Sequence, residues 1–315
     1  MTTIERIGPD TLPEALELLL ATRTRRADTQ QVRSYRAYLD QGPLNWEGLQ
    51  VLRSGRVRGV FFAMLLPGRS AIVMTAVPGQ HGIESEDQLE ALQRGLEQLE
   101  PRKLHYAQIL VETPVPELRQ LIEQAGLRHL ARLHYLQRDA SYPWADPPLE
   151  HEADWLTFDE RTYDEFARTL AKTYQDSLDC AELTGLRPIR DVIASHQATG
   201  RFEPHMWAVA RVAGQSAAAL LLAVVPQASA VEVVYMGVTP SFRRRGVGAL
   251  LLRQALHKCR QARQRTLTLV VDARNTPARQ LYERFAFQTL TTREAYLYRW
   301  GEGPWRCAAT TPARE

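Results

Sequence analysis

No stretch of this sequence is long and apolar enough to cross a bilayer. The longest apolar run, Ala217 to Pro226, is far short of the ~20 residues that a membrane helix needs. The N-terminus, Met-Thr-Thr-Ile-Glu-Arg, lacks the apolar core of a secretory signal, so a cytoplasmic location is expected. Cysteine is scarce: Cys180, Cys259 and Cys307 are far apart and odd in number, which argues against a disulfide framework and leaves reduced thiols. The 8 histidines form no His-Glu-x-x-His and no Cys/His ligand spacing, so no metal is expected. A dominant charge is missing too. Lys and Arg number 39 against 36 Asp and Glu, a formal net of +3, too little to make nucleic acid or an anionic membrane the main partner. The remainder is ordinary for a globular chain: 315 residues, 44% hydrophobic and 24% charged, room for two domains of ~100–200 residues each.

The most informative stretch runs from Val231 to Leu252. It begins as a strand, turns at Pro240 through Arg243, Arg244 and Arg245, passes Gly246 and Gly248, and enters a helix. Such a turn aims free backbone N–H groups and a helix N-terminus into one small concavity, a seat for a phosphate or pyrophosphate. The glycines let the backbone approach an anion where a Cβ would obstruct it. No Lys-Ser/Thr follows them, so this is not a P-loop, and Leu251 stands where a dinucleotide fingerprint needs its third glycine. Three arginines in one turn, without interleaved aromatics, fit a phosphorylated ligand better than nucleic acid.

Periodicity places the other elements. Thr11 to Ala21 carries Leu12, Ala15, Leu16, Leu19 and Leu20 at helical spacing, followed by a polar helical stretch over 30–40. Strands are expected at Gly48–Arg53, Val57–Leu66 and Ser70–Val77, then a helix from Glu86 to Leu99 and a strand from His105 to Glu112. Pro116 opens a helix that Gly126 caps, and Tyr135 lies in a last strand. Prolines crowd 141–152, which marks a domain boundary. The second half repeats the order: helices at Thr162–Tyr174, with Thr162 and Glu165 as a capping box, and at Thr184–Thr199, then strands at Met206–Val212, Ala217–Val225 and Val231–Val238. After the helix that follows Gly248 come a strand at Thr266–Asp272, a helix opened by Thr276-Pro277, and a closing hairpin of Phe287–Leu290 and Ala295–Trp300.

Val238-x-Pro240 followed by Arg243-x-x-Gly246-x-Gly248 resembles the acyl-coenzyme-A loop of the GNAT acetyltransferase superfamily. Asn275-x-x-Ala278-x-x-Leu281-Tyr282 matches that superfamily's second motif at every fixed position, although its usual Gly-Phe ending is Ala286-Phe287 here. The resemblance implies an α/β (α+β) fold of two tandem GNAT-like domains, each a mixed, mostly antiparallel sheet flanked by helices. Residues 1–140 would be a degenerate copy, 141–152 a linker, 153–300 the catalytic domain and 301–315 a loose tail. In the first copy the counterpart of the anion loop, Ala76 to Ile83, has no Arg-x-x-Gly-x-Gly and no basic residue but His81, so cofactor binding is not expected there.

By resemblance, acetyl-CoA is the co-substrate. Arg243, Arg244, Arg245, Gly246, Val247, Gly248 and Ala249 would seat its pyrophosphate, Met236, Gly237 and Val238 its pantetheine arm and thioester oxygen, and Asn275 would bond the arm or cap a helix. Glu232 stands where a general base is expected, and a simple alternation puts it on one strand face with Val234, Met236 and Val238. A strand glutamate can equally face solvent on an open sheet. Tyr282 is the general-acid candidate, its alternative being core packing beside Leu281 and Phe285. Tyr174, Asp176 and Asp179, with Glu182, fall where acceptor pockets are built; acidic groups there could hold a cationic amine or form a solvated loop. The expected activity is acetyl transfer to a primary amine of a small molecule, by a monomer or homodimer. The tandem layout and the Glu232 strand also resemble the mycothiol synthases, which acetylate a cysteinyl pseudodisaccharide. A non-catalytic acetyl-CoA sensor or scaffold is the remaining reading.

Overall fold

The computed structural model describes residues 3–6, 11–20, 29–30, 32–33, 49–54, 56–79, 82–112, 115–143 and 153–301. The polar helical stretch at 30–40, most of the 141–152 segment, His81, Cys307 and the tail beyond Gly301 lie wholly or largely outside them. The elements are β1 (Thr3–Arg6), α1 (Leu12–Leu20), β2 (Leu49–Ser54), β3 (Arg56–Leu66), β4 (Ser70–Thr75), α2 (Ser85–Leu99), β5 (Tyr106–Val111), α3 (Pro116–Gln124) and β6 (Arg128–Asp139). They continue as β7 (Asp154–Thr157), α4 (Tyr163–Thr173), α5 (Ile189–Gln197), β8 (Ala208–Val212), β9 (Gln215–Val225), β10 (Ala230–Val238), α6 (Val247–Gln261), β11 (Thr266–Asp272), α7 (Thr276–Arg284) and β12 (Gln288–Tyr298). They form two compact units, Met1–Leu130 with Glu294–Glu302, and Ala131–Arg293.

The first unit has strand order β1-β2-β3-β4-β5-β12, antiparallel throughout except for the β4/β5 pair. Its core joins Leu92, Leu96 and Leu99 of α2 to Leu118, Leu121 and Ile122 of α3 and to Tyr296 of β12. Gly95 leaves room for the Phe61 ring, which would lie 2.3 Å from a Cβ there. Gln88, fully buried, bonds the Val60 amide at 3.0 Å, the Val60 carbonyl at 2.8 Å and Thr75 Oγ1 at 2.7 Å, tying α2 to β3 and β4. The first turn of α2 carries Glu86 and Asp87 and no side-chain cap, so this helix N-terminus disfavours an anion.

The second unit has the order β6-β11-β10-β9-β8-β7, again antiparallel but for one parallel pair, β10/β11. The strands of each unit are therefore mixed and mostly antiparallel, as the fold class required. Strand β9 is buried from Ala217 to Val224, with α4 and α6 packed on it. That explains why the longest apolar run in the chain does not alternate: a central strand covered on both faces has no polar face to present.

Two expectations change here. The closing hairpin is instead the single strand β12, whose residues Glu294–Tyr298 pair with β5 in the first unit. The Tyr135 strand, read as the last of the first half, pairs over Leu133–Asp139 with β11 in the second unit. Alternation records which face of a strand is buried, but it carries nothing about which strand edge will be its partner. The capping box at α4 also does not form, since Thr162 makes no side-chain cap. The Glu165 carboxylate instead takes Arg211 Nε at 2.8 Å, a second Arg211 nitrogen, and Ser216 Oγ at 2.6 Å, and these bonds hold it below the usual carboxylate range.

Candidate active site

Strands β10 and β11 pair from Ala230↔Thr266 to Val233↔Leu269 and no further. Beyond that point β10 stays with β9, down to Val238↔Ala218, while β11 stays with β6. The two parallel strands therefore part, and the edge of β10 from Val234 to Val238 is left without a ladder partner among the described residues. A β-bulge sits where they diverge: Val233 faces Leu222 and Tyr235 faces Leu221, so Val234 is the extra residue. A bulge adds one residue and shifts the side-chain alternation. Glu232, opposite Ala223, therefore shares its face with Tyr235 and Gly237, not with Met236 and Val238 as simple alternation predicts.

Past Val238 the chain turns through a short 3₁₀ segment, Pro240–Phe242, into α6. Phe242 and Arg243 bond back to Thr239 and Pro240, and the Ala249 amide bonds Gly246 O at 2.9 Å. Between them, the amides of Arg244, Arg245, Gly246, Val247 and Gly248 have no acceptor among the described residues. Gly246 has φ +78°, and a Cβ added there would meet nothing within 4 Å, so the bend is open where the backbone needs a glycine. Gly248 has a different task. A Cβ there would lie 3.0 Å from Leu281 Cδ2, so its small size lets α7 pack against α6. The arginines divide as well. Arg243 donates to Val238 O (3.1 Å), Asp176 O (3.1 Å), Thr173 O (3.2 Å) and Gln175 O (2.5 Å), bracing the end of α4 against the bend. Arg244 adopts φ +61° and is exposed, and the Arg245 guanidinium lies 5.7 Å from the Phe242 ring centre.

On the Glu232 face stands a group that the sequence reading passed over. The Tyr235 hydroxyl is 2.8 Å from Thr173 Oγ1, and Gly237 must be small because a Cβ would fall 2.4 Å from that hydroxyl. The Tyr235 ring packs against those of Tyr174 and His196, with centres 4.8 Å and 5.6 Å away, and Tyr174 Oη is 3.0 Å from His196 Nε2. Burial, and then the charge of Arg187, push the His196 ring down to about 3, so it stays neutral. Glu232 is half-buried and has no hydrogen-bond or ion-pair partner among the described residues; burial raises its carboxyl.

Tyr282, on α7, is buried and its hydroxyl likewise lacks a partner among the described residues. Burial, followed by the charges of Asp179 and Tyr235, raises it. Asn275, not Thr276, caps α7, its Oδ1 accepting the Ala278 amide at 3.3 Å. The Ala286 that replaces the usual glycine still takes the left-handed conformation, φ +56°. Asp179 accepts the Asp272 amide at 2.7 Å; burial pushes its carboxyl up to about 6, with the nearby Asp272 charge adding to the rise. Asp176 is exposed at φ 51° and contributes only its carbonyl to Arg243. A cleft of about 560 Å³, lined by Lys172, Gln175, Ser216 and Phe242 among others, includes neither Glu232 nor Tyr282.

Residues 130–287 match the model of the acetyltransferase (GNAT) family, which is half of the chain. A mycothiol acetyltransferase from Corynebacterium diphtheriae is 34% identical over 65 residues, which are 21% of this chain and 22% of that protein. Among solved structures, a GCN5-related N-acetyltransferase from Sphaerobacter thermophilus superposes with a TM-score of 0.65 at 17% identity, over 96% of this chain and 97% of that one. A tandem GNAT protein from the clavulanic acid biosynthesis pathway gives 0.53 at 14% identity, over 96% and 100%. At these identities the structural likeness speaks for the fold.

Proposed function

The chain belongs to the acetyltransferase (GNAT) family, and we propose that its second unit moves an acetyl group from acetyl-CoA to a primary amine of a small molecule. The observation that carries this reading is the parting of β10 and β11 beside a bend whose amides, Arg244 to Gly248, have no internal acceptor. Such amides at a helix N-terminus suit a pyrophosphate, and the unpaired β10 edge suits an extended arm that hydrogen-bonds along it. Acetyl-CoA supplies the activated thioester. The arginines contribute unequally: Arg244 and Arg245 offer exposed charge, whereas Arg243 holds the seat in shape.

Glu232 is the proton acceptor. An amine of pKa near ~10 is mostly protonated at neutral pH, and a half-buried carboxylate without a partner is a receptive base for it, directly or through water. Tyr282, a buried hydroxyl kept protonated by its surroundings, donates to the leaving thiolate. Amides of Met236 and Val238, which strand alternation turns to the open edge while that of Gly237 faces Ala219 of β9, stabilise the oxygen where negative charge develops, a kind of donor whose loss costs ~2.7–4 kcal/mol. Tyr174 and Asp179 line the acceptor side, with Tyr235 and His196 added to them.

The test is release of free thiol from acetyl-CoA across a panel of amines, amino acids, aminoglycosides and peptides. Release with at least one acceptor is expected. Tight acetyl-CoA binding with no release from any of them would replace this reading with that of a sensor or scaffold. The partial match to a mycothiol acetyltransferase favours one further acceptor in the panel, a cysteinyl pseudodisaccharide. Preference for it would make the activity mycothiol synthase-like.

A further inference from the structure

Asp272 is a buried carboxylate that the chemistry above does not use: it is 0% exposed at the last position of β11. It accepts the Cys180 amide at 3.1 Å from the loop between α4 and α5. It also accepts the Arg274 amide at 2.8 Å, and its backbone carbonyl takes the Asn275 amide at 2.9 Å, which shapes the turn into α7. The return bond runs from its own amide to Asp179 Oδ1, 2.7 Å. Loop and strand tip are thus joined by two reciprocal carboxylate–amide bonds. Arg274 secures the joint, with Nε at 3.1 Å from both Asp272 oxygens and its terminal nitrogens on Glu182 at 2.6 and 2.9 Å.

We propose that Asp272 is a positioning residue for acyl transfer, a latch that fixes the acceptor loop carrying Asp179 to the start of the helix carrying Tyr282. It rests on the acyl-transfer reading above. One side chain touches both segments, so neither can shift without breaking a bond to a fully buried charge. The ionisable groups around Asp179 are Asp272 and Arg274 at the strand tip, Cys180 and Glu182 in its own loop, Tyr235 on β10 and Tyr282 on α7. Two of these groups are carboxylates and one is a guanidinium, and Arg274 donates to Asp272 and Glu182, so among the described residues the Asp179 carboxylate has only the Asp272 amide.

The cost of this arrangement to the fold separates a functional latch from a structural one. Asp179 titrates near 6 in the folded chain, above the ordinary 3.8, so its favourable contribution is present in acid and is lost as pH rises through about 6. At neutral pH an ionised Asp179 weakens the fold. Asp179→Asn, which keeps an oxygen for the Asp272 amide, should therefore melt no lower than wild type at neutral pH.

The experiment measures thiol release, with the best acceptor of the panel, for wild type, Asp272→Asn and Asp179→Asn, together with thermal melts. Asp272→Asn is expected to lower kcat/KM for the acceptor on the order of 10²-fold, as for a reacting group misplaced by ~1 Å, with KM for acetyl-CoA unchanged. The acid limb carries the titrations of both Glu232 and Asp179; the Asp179 part should move to lower pH, because the Asp272 charge that adds to burial in raising it is gone. Asp179→Asn should lose the inflection near pH 6 while keeping its melting temperature. The latch is overturned if Asp179→Asn keeps the wild-type rate and profile, or if the activity left in a destabilised Asp272→Asn has an unshifted profile. Asp179→Asn decides the matter if Asp272→Asn does not fold. No thiol release by wild type with any acceptor would instead count against the transferase reading on which the latch depends.

Discussion

Glu232 owes its behaviour to what is missing beside it. No cation and no hydrogen-bond donor among the described residues meets its carboxylate, and burial raises its ionisation. A base must be deprotonated to act, so turnover should fall on acidification at a higher pH than an exposed glutamate would impose. Glu232→Gln is expected to lower kcat by ~10²–10⁴-fold, with acetyl-CoA affinity nearly intact. Because the folded carboxyl titrates above its unfolded value, ionised Glu232 weakens the fold at neutral pH, so the glutamine variant should melt no lower than wild type. Full turnover in that variant would remove Glu232 from the reaction. Tyr282→Phe should likewise reduce kcat and leave acetyl-CoA binding unchanged; steady-state kinetics and titration calorimetry read both. The motifs named these two residues, but not Tyr235, His196 or Asp272. An aromatic on a strand, a histidine on an amphipathic helix and an aspartate at a strand end look like packing or capping until folding sets Tyr235 against His196 and Asp272 against the Cys180 amide.

At the scale of the element, the bend between β10 and α6 is legible because its chemistry is local. Proline, arginines and spaced glycines fall within one turn, and the geometry follows from backbone freedom at Gly246. Gly246→Asp should abolish coenzyme-A binding in a calorimetric titration. The site is sterically open, so the loss would come from charge and from the positive φ. Gly246→Ala shares the strain without the charge and should retain measurable binding; equal loss in both variants would show that conformation, not repulsion, is responsible. The end of α7 offers a second test. Ala286 holds φ +56°, a conformation costing an L-residue roughly 1–2 kcal/mol. Ala286→Gly should therefore stabilise the protein by about 1 kcal/mol in urea denaturation, and a lower midpoint would contradict that. Local signals failed where an element's partner lay far along the chain. Glu165 had the spacing of a capping residue, yet Arg211 and Ser216 give its carboxylate a charge-assisted site that a backbone amide cannot match.

At the scale of the whole molecule, the tandem organisation appears twice, as a repeated order of elements in the sequence and as one strand pattern in each unit, with a single parallel pair in each. The assignment of the final strand has a consequence. Tyr296, fully buried in the first unit's core, comes from β12, so ending the chain after Arg293 removes a core residue and the segment paired with β5 from that unit. Hydrogen exchange in β5 and α3 should accelerate in the shortened chain; unchanged protection there would show that β12 is dispensable to the first unit.

The sequence by itself determined the family, the fold class, the doubled order of elements and the bend of arginines and spaced glycines, because each rests on residues within a few positions of one another. Only the tertiary structure decided which face Glu232 occupies, which unit receives β12, and that Asp272 joins the loop between α4 and α5 to the start of α7. Those outcomes depend on a single bulged residue and on partners more than ninety positions apart, and neither hydrophobic periodicity nor motif spacing encodes pairing at that range.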